Sequence, residues 1–260
     1  MPISGIKFPN TPIIIAAFSF TKKHTSEAIY NHCVRSAYWS LILAKKLAPL
    51  ADADVGLDME VVVLACILHD MGWADDKEGV LLSSGYKRFE VDGADIARRW
   101  VEGYGGEEWD RGRVQRVWDA IAFHTSVSIA PFGSLEVATA HLGISADFAG
   151  PRFPSDPWAD PSTTSDEVGA VITVEEFREV VRCFPYAGFG EQGVRDILCG
   201  LCREKPATTF DNFVGNFGRE FGVDGRGEDR EVYEGMWLRA NATRNVTGGF
   251  EFLEGLLREE

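Results

Sequence analysis

The chain has 260 residues, 45% of them hydrophobic and 25% charged, with a formal net charge of -14. That size and balance fit one large globular domain with at most a small appendage. The acidic surplus argues against nucleic acid or an anionic membrane as the main partner, because both select basic patches. Five cysteines in a chain of this length make no disulfide framework. With no leader-like start, they point to a reducing compartment and a cytoplasmic protein.

Residues 1–24 read as an extended N-terminal arm. Pro2, Pro9 and Pro12 argue against a helix, and the apolar run Ile13 to Phe18 is far too short to span a bilayer. Thr25 or Ser26 can cap a helix reaching about Leu47, with Ile29, Cys33, Ala37, Leu41 and Ala44 as its inward stripe. His32 lies at the edge of that stripe and shares a face with Arg35, Ser36 and Trp39.

The run Val61 to Leu68 is apolar on every side, the mark of a helix buried in the middle of a domain. Asp58 is its N-cap candidate and Gly72 its stop. His69-Asp70 closes the run. An imidazole and a carboxylate there are costly to desolvate without a partner, although a helix end reaching water would also accommodate them.

Trp73 to Lys87 reads as a polar loop, within which Asp75, Asp76 and Glu78 form a solvated charge run. Helices are expected from Phe89 to about Val101, from Glu108 to His124 and from Leu135 to Phe148. Gly150 to Ser165, rich in proline, makes residues 151–170 a loop before further C-terminal helices. Thr173 to Glu176 is a capping-box signature. Later helices are expected near Glu191 to Arg203, Thr209 to Phe221 and Phe250 to Arg258. No alternating strands emerge, so the fold class is all-α, with 25–260 taken as a single domain.

His32, His69, Asp70 and Asp147 fall on three separate predicted helices, each beside a buried stripe. Any one of them is an ordinary hydrogen-bonded core residue. Four together suit one divalent cation, with zinc the first choice and iron or manganese equally compatible with imidazole and carboxylate donors. His141 reads as a hydrogen-bonded core histidine and His24 as solvated. Cys33, Cys66 and the pair Cys199 and Cys202 read as core residues rather than redox or zinc motifs.

The ordered set His32, His69-Asp70, Asp147 resembles the signature of the HD-domain superfamily, helical bundles with metal-dependent hydrolase activity. Tyr30-Asn31-His32 with Arg35 and Tyr38-Trp39, Leu68-His69-Asp70 with Gly72, Phe89-Glu90 with Gly93, Phe123-His124, and Ala146-Asp147-Phe148 are similar to stretches of cyanamide hydratase-like proteins. Phe184-Pro185 and the aromatic, glycine-rich segment after it look similar too. The resemblance implies one metal held by His32, His69, Asp70 and Asp147. Phe89 stands where dinuclear members carry a histidine, so a mononuclear centre is implied. It also places His124 near the metal without making it a ligand.

Three functions follow as expectations. The first is a hydratase or lyase adding metal-activated water to a cyanamide- or nitrile-like small molecule. Asp70 would steer the water and His124 would shuttle the proton. Asn31, Arg35, Lys87 and Arg88 would orient substrate, and Trp39, Trp73, Phe89 and Phe123 would wall the pocket. The second is phosphohydrolysis of a nucleotide or small phosphate ester, which needs cations converging on the pocket. The third is a non-catalytic metal-binding module. A homodimer is compatible with all three.

Overall fold

The computed structural model describes residues 3–47, 50, 52, 56–74, 83–158 and 170–258, except the side chains of Arg244 and Val246. Among the described residues there are eleven α-helices and no strand, as the all-α expectation requires. None of these helices is long and apolar enough to cross a membrane. Asp75, Asp76, Glu78 and most of the proline-rich 151–170 loop lie outside the described residues.

Packing groups the chain into two compact units. The first joins residues up to Ser84 with Phe89–Phe189. It holds α1 (Pro12–His24), α2 (Glu27–Lys46), α3 (Met59–Leu68), α4 (Phe89–Tyr104), α5 (Arg111–Ala122), α6 (Leu135–Ala149) and α7 (Val174–Cys183). The second joins Gly85–Arg88 with Gly190–Glu260. It holds α8 (Glu191–Glu204), α9 (Val214–Phe221), α10 (Arg230–Ala240) and α11 (Arg244–Leu256).

α3 is the axis of the first unit. Every residue from Val61 to Leu68 is buried, and α1, α2, α4, α5 and α6 all pack against it. Eight consecutive buried apolar side chains leave no face for water, so neighbours must surround the helix. Asp58 caps it, accepting from the backbone N–H groups of Glu60 and Val61. The helix ends at Leu68, before Gly72, and Met71–Trp73 continues as one 3-10 turn. That corner packs against α4. α2 packs most closely against α6, and these two helices carry His32 and Asp147.

The N-terminal arm is corrected: Pro12–His24 is a helix. Pro12 stands in the first turn, where its missing N–H would have had no intrahelical partner. Thr21 donates to the carbonyl of Ile67 at 2.9 Å, tying α1 to α3. His24 is corrected with it. It is buried in the last turn of α1, its ring 4.8 Å from Phe20, rather than solvated.

Other boundaries shift by up to six residues. α5 starts at Arg111 behind an Asp110 cap, because Gly106–Glu108 forms a 3-10 turn. α9 starts at Val214, since Thr209 bonds back to the Pro206 carbonyl. α11 starts six residues before Phe250, at Arg244. The capping box at Thr173 and Glu176 forms as read. Cys33, Cys66, Cys199 and Cys202 are all buried thiols.

Candidate metal centre

Three side chains meet where α2, the end of α3 and the following turn come together. The Nε2 atoms of His32 and His69 stand 3.2 Å apart. Asp70 Oδ2 lies 3.3 Å from His69 Nε2 and 3.8 Å from His32 Nε2. All three residues are buried. Donors about 2.0–2.2 Å from a tetrahedral cation stand about 3.3–3.6 Å from one another, close to these separations.

The protons on the rings support the same conclusion. His69 Nδ1 lies 2.8 Å from the carbonyl of Cys66, which can only accept, so Nδ1 carries the proton. His32 Nδ1 lies 2.7 Å from Asp147 Oδ2 and donates to it. With both Nδ1 atoms protonated, the two Nε2 atoms face one point beside a carboxylate. Such a contact needs a positive charge between them: a divalent cation supplies it in the loaded site, and a proton on His69, whose pKa Asp70 and Cys33 raise, supplies it in the metal-free one.

Asp147, read as a fourth ligand, sits behind His32, outside that group of three. Its Oδ1 accepts from Arg35 Nε and Trp39 Nε1, both at 2.8 Å, and from the Tyr186 hydroxyl at 3.1 Å. Its Oδ2 accepts from Arg35 Nη2 at 2.8 Å and from His32 Nδ1. Those donors saturate the carboxylate, which has about four lone-pair sites. In this arrangement Asp147 meets His32 at Nδ1, on the far side of the ring from the point the two Nε2 atoms share. Helical periodicity put it on the inner face of α6 but could not tell which side of His32 it would meet.

Arg35 is corrected as a substrate-orienting residue. Its side chain is fully buried, with Nη1 donating to the carbonyls of Phe184 and Pro185 at 3.1 and 3.0 Å. Trp39 is likewise no pocket wall, since it is buried with its N–H on Asp147. Asn31 is buried and donates to the Pro185 carbonyl at 3.2 Å.

The remaining expected residues divide into two groups. His124 follows α5, its ring 4.8 Å from that of His69, and its Nδ1 donates to the Ile121 carbonyl. His141 donates to the backbone carbonyl of His124 at 2.6 Å, the core role read for it. Phe89 is buried with its ring 5.6 Å from His124 and 4.6 Å from Trp73. Among the described residues, Trp73 Nε1 is buried with no hydrogen-bond partner. Lys87 and Arg88 fall in the segment grouped with the second unit, where Arg88 Nη1 lies 3.9 Å from Asp211.

Electrostatics follow this geometry. Burial pushes the His124 pKa down to about 4, with help from His69, so the ring is neutral. Burial also lowers His32, more than Asp147 raises it. For His69 burial opposes charge, but Asp70 and Cys33 outweigh it and lift the pKa well above the ordinary range. Burial opposes ionisation of Asp70 and Asp147 too. His69 overcomes it for the first, His32 and Arg35 for the second, and both stay below the usual carboxylate range.

Periodicity missed several neighbours. Glu90 is a buried carboxylate that accepts from Thr125 Oγ1. Phe189 stacks on His32 at 4.3 Å and 18°, and Phe148 meets the same ring at 5.4 Å. Tyr186 lies over Arg35 at 3.8 Å. Glu90 was visible only as part of a motif. The residues from 184 to 189 come from too far along the chain for any local pattern to place them.

The sequence model of the HD domain family matches residues 29–157, a span holding His32, His69, Asp70, His124 and Asp147. No curated protein matches the chain in sequence. HD domains bind divalent metals and are typically metal-dependent hydrolases. Residues 29–157, which hold the paired imidazoles and Asp70, are therefore similar to an HD domain.

Proposed function

We propose that the protein is a metal-dependent hydratase or hydrolase that adds water across a small, neutral carbon–nitrogen group of the cyanamide or nitrile kind. The observation that carries this reading is the commitment of Arg35. Within the first unit it is the one arginine or lysine among the described polar partners of His32, His69, Asp70, His124 and Asp147, and Asp147 and two carbonyls already hold it. A phosphate ester needs cations with donors to spare. A neutral substrate needs none.

His32, His69 and Asp70 would hold the cation. When bound, it would polarise the substrate and bring the pKa of a water toward about 7. Asp70 holds the attacking water with its carboxylate. Neutral His124 takes the proton of that water at Nε2, since Nδ1 is already protonated and bonded to Ile121. The oxygen bonds to the nitrile carbon as one carbon–nitrogen π bond opens, the proton passes from Nε2 to the nitrogen, and the resulting imidic acid tautomerises to the amide or urea. Phe89 closes the His124 side against bulk water. Trp73 Nε1, a buried donor with no partner among the described residues, is suited to the substrate's lone pair.

The test is a substrate panel on metal-loaded protein: cyanamide and small nitriles against nucleoside monophosphates and a chromogenic phosphate ester. Amide or urea formation is expected. Phosphate release without hydration would overturn the reading. His124→Ala should keep the metal and lose about 10²–10⁴-fold in turnover.

A further inference from the structure

The metal centre is bound on one side by a segment outside the HD match. The carbonyls of Phe184 and Pro185 accept from Arg35, and Pro185 also accepts from Asn31. Tyr186 sends its hydroxyl to the side chain and backbone carbonyl of Asp147 and lays its ring on the Arg35 guanidinium. A tight turn follows. The Phe189 N–H donates to the Tyr186 carbonyl at 2.7 Å, and Gly188 takes φ +77°, which favours glycine. That turn brings the Phe189 ring flat against His32.

We infer that Phe184–Phe189 is a clamp that sets the metal-binding geometry of His32, with Tyr186 as a positioning residue acting through Asp147. This rests on the metal-site reading above. Asp147 can pin the His32 Nδ1–H only while its own orientation is held, and Arg35, Trp39 and Tyr186 hold it. Phe189 fixes the plane of the imidazole from its other face. The lone pair on His32 Nε2 is then aimed by residues more than 150 positions later in the chain. Removing such outer partners typically weakens metal binding about 10–100-fold.

The experiment uses the full chain stripped with a chelator and titrated with Co²⁺, whose visible absorption reports both affinity and ligand geometry. Tyr186→Phe keeps the ring over Arg35 and removes only the hydroxyl. Phe189→Leu keeps apolar volume and removes the stack. Each is expected to bind Co²⁺ about 10-fold more weakly, with an altered spectrum, while the metal-free melting midpoint stays at the wild-type value. Affinity within twofold of wild type in both variants would overturn the clamp, as would weakened binding that merely follows a fall in the metal-free midpoint. If Tyr186→Phe fails to fold, Phe189→Leu decides alone. A wild type that binds no Co²⁺ would instead remove the metal reading itself, a different result from a wild type that binds and variants that match it.

Discussion

His32 and His69 aim their Nε2 atoms at each other across 3.2 Å, so a cation or a proton has to stand between them. Cys66 and Asp147 hold both protons at Nδ1. A divalent cation relieves that opposition, so the metal-free protein should gain thermal stability on adding zinc, iron(II) or manganese(II). At a concentration 100 times Kd the gain is about 2.7 kcal/mol. His69→Ala should abolish it, with metal content falling in parallel. A melting midpoint that ignores all three metals would contradict this account.

Arg35 and Asp147 form an ion pair with both side chains out of solvent. Removing one partner from such a pair typically costs about 3–5 kcal/mol, because the other charge is left buried. Arg35→Ala should show a loss of that size in urea denaturation. Arg35→Lys should recover little of it, since an ammonium cannot reproduce the fork that reaches both Asp147 oxygens. A loss under about 1 kcal/mol for the alanine variant would mean that Trp39 and Tyr186 suffice for Asp147.

Gly143 lies where α6 meets α2. A Cβ there would come within 2.7 Å of the Ser36 carbonyl oxygen, which is backbone and cannot rotate away. Gly143→Ala should therefore push apart the helices that carry Asp147 and His32, at a cost of about 1–3 kcal/mol. The midpoint of chemical denaturation measures the cost. Metal affinity should fall with it, because the two helices set the His32–Asp147 contact.

Asp58 predicts an acid limb. Burial opposes its charge, but Arg113 and the backbone N–H groups of Val61 and Glu60 outweigh that, leaving its pKa below the ordinary value. A depressed carboxylate stabilises the fold above its unfolded pKa of about 3.9, and that contribution is lost as pH falls through the folded value. Urea midpoints should thus decline below about pH 4. In Asp58→Asn that part of the decline should disappear. An unchanged acid limb in the variant would show that Asp58 contributes nothing to it.

The misread segments share a cause. Pro12 was read as a breaker because proline ends a helix in its interior, yet in the first turn it starts one. α10 went unread although Asp229 stands at its start; in the structure that residue takes φ +50° and makes no side-chain cap. His24 looked solvated between charged neighbours, and only the packing of its helix on α3 buries it.

From the chain alone came the helical class, the buried axis from Val61 to Leu68, its Asp58 cap, and the meeting of His32 with His69-Asp70. The first three are written in local spacing, since a run with no polar face must be surrounded; the meeting of His32 with His69-Asp70 came from the ordered set of inward polar residues and its resemblance to the HD signature. Tertiary structure decided what Asp147 and Arg35 do. A period of 3.6 residues says that a side chain faces inward, but not which of several inward groups it will touch. Arg35 and Asp147 found each other across two helices, and the residues from Phe184 to Phe189 closed over them. What reads in sequence as a ligand and a substrate clamp became the brace behind one histidine.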